Sequence, residues 1–135
     1  MPSREKVHEI FKTLEQGFGP AFFAHVSDSV SWHGTGSDNP IGVTYSSKAE
    51  TIRSFQRTGT VLREPFTPKV LHVLHDGGDT AAVELRARGV LKSGEEVVME
   101  AAWFCEFRGE EIVKVRIYLD SALMKRLLDL AAAGK

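Results

Sequence analysis

The hydrophobic period of this chain changes from about 3.6 residues to 2 residues near its middle, and this change constrains the fold more than any other feature of the sequence. Apolar and polar side chains alternate over residues 80–90, 96–107 and 112–119, as they do in strands that bury one face. Tight-turn sequences, such as Asp-Gly-Gly-Asp at 76–79, separate these segments. With a further strand over Val70–His75, they predict an antiparallel meander.

Helical patterns precede this meander. Val7, Ile10, Phe11 and Leu14 are spaced as on one face of a helix, and Pro20 begins a second, short helix that continues to about Val26. These helices supply apolar faces that can cover the meander.

The segment between the first helices and the meander is mixed. Ser29–His33 is typical of a strand, and the glycine-rich segment Gly34–Gly42 is typical of a loop. A capping box at Ser47 and Glu50 then predicts a third helix, which Gly59 ends.

A final helix follows the last strand and carries one apolar side, formed by Leu123, Met124, Leu127, Leu128 and Ala131. Helices and strands that are segregated along the chain predict an α+β fold rather than a parallel α/β sheet. A length of 135 residues fits one domain over residues 1–135.

Charge and composition argue against several functions. The chain has 17 basic and 18 acidic residues, so its net charge of −1 gives no sign of nucleic-acid or membrane-surface binding. Its longest apolar run, Ala101–Cys105, is far too short to span a bilayer, and Glu5 and Lys6 interrupt any signal-peptide core. We therefore expect a cytoplasmic protein.

Cys105 is the only cysteine, so neither an intramolecular disulfide nor a cysteine-based zinc cluster can form. It lies among aromatic residues, which favours a buried, inert thiol over a nucleophile. No metal-binding or dinucleotide-binding motif is present in the sequence, and we expect no metal and no cofactor.

Strand parity predicts what the two faces of the meander do. Ala82, Val98, Ala102 and Phe104 share the outer face, whereas Trp103 lies on the face that the helices cover. An outer face that is not fully polar is most simply covered by a second copy of the chain, so we expect a homodimer.

Three local signatures resemble those of one family. The first is Val30–His33 followed by Asn39-Pro40 and Gly42–Tyr45; the second is the capped helix Ser47–Gln56. The third is Val115–Asp120 on the last strand. In this order they resemble the nuclear-transport-factor-2-like (NTF2-like) superfamily, in particular its SnoaL-like and ketosteroid isomerase-related members. The resemblance implies a cone-shaped, cystatin-like fold, in which N-terminal helices pack in a strongly curved antiparallel sheet and a C-terminal helix follows.

His33 is the first candidate catalytic residue. In ketosteroid isomerase the carboxylate base comes from about this segment, and an imidazole can remove an acidic proton next to a carbonyl. The alternative is a histidine that is hydrogen-bonded to the backbone of the loop in a structural role.

Asp120 is the second candidate. In SnoaL-like cyclases an aspartate near this position acts as the base, so the resemblance implies the same role here. Asp120 also immediately precedes the final helix, and could instead be its N-cap. A regular last strand would point Tyr118 and Asp120 away from the core, and only a bulge would reverse this.

Four aromatic residues, Trp32, Tyr45, Trp103 and Tyr118, are candidate walls of an apolar pocket, or hydrogen-bond donors to a bound carbonyl group. The alternative is that they are ordinary core aromatics. We expect the pocket to open beside His33 and to include either Asp120 or Tyr118.

Departures from the family's enzymes narrow the expected function. Ketosteroid isomerase would need an aspartate near His33, and the Arg-x-Asp pair of limonene-epoxide hydrolase is replaced by Arg86-Ala87-Arg88. The sequence therefore predicts a pocket for a small apolar molecule, in an isomerase, polyketide cyclase-like enzyme or lyase that acts on a hydrophobic carbonyl compound. The alternative is a non-catalytic ligand-binding or dimeric interaction domain.

Overall fold

The structure is a computed structural model that describes residues 1–36 and 42–134. In chain order its elements are α1 (Arg4–Lys12), a 3₁₀ turn (Thr13–Gln16), α2 (Pro20–Phe23), β1 (Val26–Gly34), β2 (Thr44–Tyr45), α3 (Lys48–Gly59), β3 (Leu62–His75), β4 (Thr80–Leu91), β5 (Glu96–Arg108), β6 (Glu111–Leu119) and α4 (Ser121–Ala132). Asn39 and Pro40, and most of the predicted loop Gly34–Gly42, lie outside the described residues.

The strands form one sheet in the order β2-β1-β6-β5-β4-β3. The predicted antiparallel meander is confirmed for β3 to β6. β1 joins it in parallel with β6, with Trp32 opposite Val115, so the sheet as a whole is mixed. The α+β prediction is confirmed, with α4 following the last strand.

The edge strand β3 is longer than predicted, because it begins at Leu62 rather than near Val70. Its first half contains Pro65 and Pro68, which the sequence analysis did not assign to a strand. Prolines are tolerated at a sheet edge, where the missing N–H has no ladder partner to lose. A composition that looked like a loop is therefore an edge strand.

Local capping explains where the helices begin. The Ser47 hydroxyl accepts a hydrogen bond from the Glu50 backbone N–H at 3.1 Å and donates to the Glu50 carboxylate at 3.3 Å, so Ser47 is the N-cap of α3. Ser3 caps α1 in the same way, through the N–H of Lys6. α2 is a single turn with Pro20 at its start, and it ends three residues earlier than predicted.

The core lies between α1 and the inner face of the sheet. The predicted helix face of α1, with Ile10 and Phe11, is fully buried and packs in one cluster with Trp103 and Cys105 of β5. Burial raises the pKa of the Cys105 thiol, which keeps it protonated and supports a structural role. Val98 and Phe104 lie on the opposite, outer face, as strand parity predicts.

A second, smaller cluster attaches α4 to the sheet. Leu127 is fully buried and packs with Val61, Leu91, Val97 and Met99, near the end of β5 that is remote from α1. None of the helices in the described parts of the chain has the length and hydrophobicity needed to cross a membrane.

Gly17 ends the first helical segment with φ of 111° and ψ of 170°, a conformation that other residues adopt only under strain. We expect Gly17→Ala to lower the free energy of unfolding by about 1–3 kcal/mol. Gly59→Ala is the matched control, because Gly59 ends α3 without a positive φ and a new Cβ there meets open space. Urea denaturation of both variants tests this, and equal stabilities would contradict it.

Candidate functional site

A cavity of about 500 Å³ lies inside the cone, between the inner face of the sheet, α3 and α4. This volume is within the range of roughly 300–1,000 Å³ that is usual for small-molecule pockets. It exists because the curled sheet is wider than the short helices that cover it. The helical face of α1 fills one end, and the other end stays open.

Aromatic rings form the inner end of this cavity. Trp103 on β5 and Trp32 on β1 meet edge to face, with centroids 5.2 Å apart. Phe18 lies against Trp103 at 5.6 Å, nearly parallel to it, and Phe55 of α3 lies against Trp32 at 5.8 Å. All four line the cavity. They come from distant segments and assemble a rigid apolar surface.

Tyr45 stands beside this aromatic surface because of strand pairing. β2 pairs with β1 in antiparallel fashion, and Tyr45 is directly opposite Trp32, so the two side chains share the inner face of the sheet. Tyr45 is half-buried, and its hydroxyl makes no hydrogen bond to any described residue. Trp32, Tyr45 and Trp103 all line the cavity, and their contact with a ligand stays a prediction.

Several hydroxyls on the wall are already engaged as donors. Thr35 donates to the Ile117 carbonyl at 2.7 Å, and Ser54 donates to the Thr51 carbonyl at 2.6 Å. Thr58 likewise donates to a backbone carbonyl of its own helix, at 3.2 Å. Toward a ligand, these three hydroxyls can only accept.

The remaining polar side chains of the wall can donate hydrogen bonds to a ligand. They are the Tyr45 hydroxyl, the Gln56 amide and the Arg57 guanidinium, the last two on the final turn of α3. The indole N–H groups of Trp32 and Trp103 donate to no described residue. Among the described residues that line the cavity there is no carboxylate and no imidazole, and Arg57 is the one formally charged side chain.

His33 is not among the residues that line the cavity. It follows Trp32 on β1, so alternation directs its side chain to the opposite face of the strand. Its Nδ1 and the Thr44 hydroxyl share a hydrogen bond of 2.7 Å across the β1–β2 pair. The partner of His33 is thus a side chain on β2 and not the backbone of the Gly34–Gly42 loop.

Asp120 and Tyr118 also lie away from the cavity, and the expectation that one of them lines it is wrong for both. Asp120 is exposed and caps α4, with its carboxylate accepting from the Leu123 N–H at 3.1 Å. Tyr118 is 48% exposed on the outer face. The end of β6 contains no bulge, so parity brings Ile117 and Leu119 to the cavity instead.

Some wall residues were not predicted from sequence. Phe18 follows a helix end, Phe66 lies on the proline-containing half of β3, and Met124 and Leu128 lie on α4. Helical spacing could have pointed to the last two, since Met124 and Leu128 are four residues apart on one face. No local pattern distinguishes Phe18 or Phe66 from ordinary core residues.

α4 closes one side of the cavity, and an ion pair helps to hold it there. Arg126 donates to both carboxylate oxygens of Glu95, from Nη1 to Oε2 at 2.8 Å, in the turn before β5. The Arg126 hydrogen bonds hold the pKa of Glu95 below its ordinary value. Because both side chains are solvent-exposed, this attachment is weak and sensitive to salt.

No group of three or more histidine, cysteine or acidic side chains in the described segments is arranged to hold a metal ion. The site offers an apolar cavity with aromatic walls and hydrogen-bond donors at its side and mouth. It can enclose a small organic molecule and hold an acceptor atom of that molecule.

A curled sheet that holds helices on one face and encloses a pocket defines the NTF2-like class of α+β proteins. Residues 7–115 match the SnoaL-like domain, and this chain belongs to that family. No curated protein sequence matches the chain.

Solved structures share the fold at low sequence identity. An NTF2-like protein of unknown function from Burkholderia pseudomallei is 19% identical, with a TM-score of 0.74 over 92% of this chain and 95% of that one. TerC, co-crystallised with polyporic acid, is 12% identical, with a TM-score of 0.73 over 93% and 96%.

A third structure has the ketosteroid isomerase-like fold. It is a hypothetical protein from Catenulispora acidiphila in complex with trimethylamine, and it is 20% identical, with a TM-score of 0.65 over 86% of this chain and 85% of that one. At such identities the similarity establishes the fold alone.

Two substitutions of Asp120 distinguish a helix-capping role of this residue from a catalytic one. We expect Asp120→Ala to destabilise the protein by about 1 kcal/mol, whereas Asp120→Asn should be close to the wild type because asparagine caps helices as well as aspartate does. Urea denaturation measures both. A loss of ligand turnover in the stable Asp120→Asn protein would contradict a purely structural role.

The Glu95–Arg126 pair predicts a pH dependence. Because the pKa of Glu95 is lower in the folded state, the pair stabilises the protein above the unfolded-state pKa and loses this effect as the pH falls through the folded one. The melting temperature of Glu95→Gln should therefore lie slightly below that of wild type at pH 7, and the two should converge once the pH falls below the folded-state pKa of Glu95. Glu110→Gln, in an exposed turn, is the control, and a gap that persists at low pH would refute the assignment.

Proposed function

We propose that this protein binds a small hydrophobic carbonyl compound inside its cone, and that Trp32, Tyr45 and Trp103 contact that ligand. The observation that carries the proposal is the composition of the described cavity wall, which is aromatic and apolar with free donors and no anionic group. A carbonyl oxygen accepts hydrogen bonds and donates none, so it complements such a wall.

Size and shape support the same ligand class. The cavity can enclose a molecule with one or two rings, and Phe18, Phe55 and Trp103 present ring faces and edges to it. Burial of apolar surface supplies about 25 cal/mol per Å² of favourable free energy, so the rings provide most of the affinity. A donor such as the Tyr45 hydroxyl then orients the polar end of the ligand.

Binding is favoured over base-catalysed turnover because of where the candidate bases lie. His33 is engaged with Thr44, and Asp120 caps α4, so neither reaches the cavity. Proton abstraction next to a carbonyl needs a base within hydrogen-bonding reach of that proton. The ligands named for TerC and for the Catenulispora protein are further support, since both folds hold small organic molecules.

An isomerase or cyclase-type enzyme is the second candidate, and one observation favours it. Tyr45 is, besides Arg57, the one residue of the described wall with an acid–base side chain. A phenol could steady a developing enolate oxygen. In that case the base would have to be the ligand itself, water, or a group outside the described wall.

A matched pair of ligands tests the binding proposal. 2-Acetylnaphthalene and 2-ethylnaphthalene have similar size and differ mainly in the carbonyl oxygen, and quenching of Trp32 and Trp103 fluorescence reports binding of either. We expect Tyr45→Phe to weaken binding of the ketone by about 5–10-fold, which corresponds to the loss of one hydrogen bond. Binding of the hydrocarbon should stay unchanged. Ala101→Phe should abolish binding of both ligands, because Ala101 lines the cavity and a larger side chain there would fill it.

The controls separate the steps of this argument. Ala122→Phe makes the same change on the exposed start of α4, and His33→Ala changes a residue outside the cavity, so both should bind the ketone normally. No binding of either ligand to wild type would refute the proposal. If wild type accelerates the exchange of the acetyl protons in D₂O and Tyr45→Phe does not, the enzyme hypothesis is favoured instead.

A further inference from the structure

Gly89 interrupts the row of side chains that β4 directs to the inner face of the sheet. Leu85 and Ala87 precede it on that face and Leu91 follows it, and all three are buried. Glycine inside a strand costs stability, because it adds no side chain to the packing and has the most backbone freedom to lose. The backbone of Gly89 does not lie in the left-handed region that favours glycine. The reason for a glycine here therefore lies in its surroundings.

The Phe66 ring occupies the space that a side chain at position 89 would need. A Cβ added to Gly89 would lie 3.1 Å from Cδ1 and 3.3 Å from Cε1 of this ring, and 3.4 Å from the Glu64 carbonyl oxygen. The first two distances are shorter than the best separation of about 3.5–4.0 Å between non-bonded carbon atoms. Glycine is thus the residue that lets the Phe66 ring lie this close to β4.

A bulge in β3 brings Phe66 to this side of the sheet. Residues 64–67 of β3 pair at their two ends with residues 88–90 of β4, which leaves both Pro65 and Phe66 opposite Gly89 alone. Two residues against one is the pattern of a β-bulge, which re-aims side chains locally. Both Pro65 and Phe66 line the cavity. The bulge supplies two side chains to the inner face, and the glycine opposite leaves room for them.

Phe66 lies at the end of the cavity that is remote from Tyr45. Tyr45 packs with the aromatic cluster that contains Trp103, whereas Phe66 packs with the smaller cluster that contains Met99. Trp103, Ala101 and Met99 all line the cavity. At ~3.3 Å per residue, the wall that β5 provides is about 13 Å long. A ligand that holds its carbonyl group at Tyr45 therefore reaches Phe66 only when it is elongated, with two rings end to end.

We propose that Gly89 is a positioning residue that sets the length of ligand this cavity accepts, because it lets the Phe66 ring lie back against β4. The inference rests on the proposed function, since it concerns the same carbonyl ligand. The ligand class that it specifies is an elongated aryl ketone whose second ring contacts Phe66. A methyl group at position 89 would push the Phe66 ring off the sheet by a few tenths of an ångström, toward the cavity that this ring lines.

Two ketones that share an acetyl group and differ in length test the inference. They are 4-acetylbiphenyl and the shorter 2-acetylnaphthalene, and quenching of tryptophan fluorescence reports binding of each to wild type. Gly89→Ala should weaken binding of 4-acetylbiphenyl by at least about fivefold, as overpacking does, and binding of 2-acetylnaphthalene by less than about twofold. In a Phe66→Ala background, Gly89→Ala should change neither affinity, because the ring that the methyl group would displace is gone.

Gly78→Ala is the matched control. Gly78 lies in the turn between β3 and β4, outside the cavity wall, and a Cβ there meets only the Asp76 side chain. Both affinities should stay at their wild-type values in this variant.

The outcomes separate this inference from the proposed function. If Gly89 is merely structural, Gly89→Ala lowers the melting temperature and weakens both ketones equally, which would overturn the inference. A loss of 4-acetylbiphenyl binding that persists in the Phe66→Ala background would overturn it too. Wild type that binds only 2-acetylnaphthalene, or an unchanged ratio of the two dissociation constants in Gly89→Ala, would refute this inference alone. Wild type that binds neither ketone would refute the proposed function and this inference with it.

Discussion

The packing of Trp103 is the contact on which the rest of this structure depends. Its ring lies on the inner face of β5 and meets Phe22 at 5.7 Å on the side of the filled core. It also meets Phe18 and Trp32, at 5.6 Å and 5.2 Å, where the cavity begins. Trp103 therefore forms the boundary between the part of the cone that α1 fills and the part that stays open.

The chemistry of the open part follows from which residues the curled sheet brings to it. β1 and β2 contribute Trp32 and Tyr45, and the end of α3 contributes Gln56 and Arg57. These groups donate hydrogen bonds, and the described wall offers no base beside them. Because the same fold supports many functions, this wall is better grounds for assigning a function than the family is.

The two faces of the long strands serve different purposes, and a single alternation pattern creates both. On β5, Trp103 and Cys105 point inward to the core, whereas Ala102 and Phe104 point outward on the opposite face of the sheet. A shift of one residue in the register of this strand would exchange the two sets. The stability of the core and the exposure of Phe104 on the outer face thus depend on the same register.

The sequence by itself determined the α+β class, the meander, the capped helix α3 and the face on which each residue of β4 to β6 lies. These properties depend on spacing over a few residues, which local patterns record. The N-cap alternative for Asp120 was also visible, since the position of a residue directly before a helix is a local fact.

Only the tertiary structure decided the parallel pairing of β1 with β6, the edge position that allows β3 its prolines, and the wall of the cavity. Phe18, Phe55 and Met124 meet there from segments that are far apart in the chain. A cavity is the volume that packed elements leave unfilled, so it depends on the curvature of the whole sheet and on the lengths of the helices against it. No short stretch of sequence records that volume, and for this reason no local pattern marked Phe18 or Phe66 as wall residues.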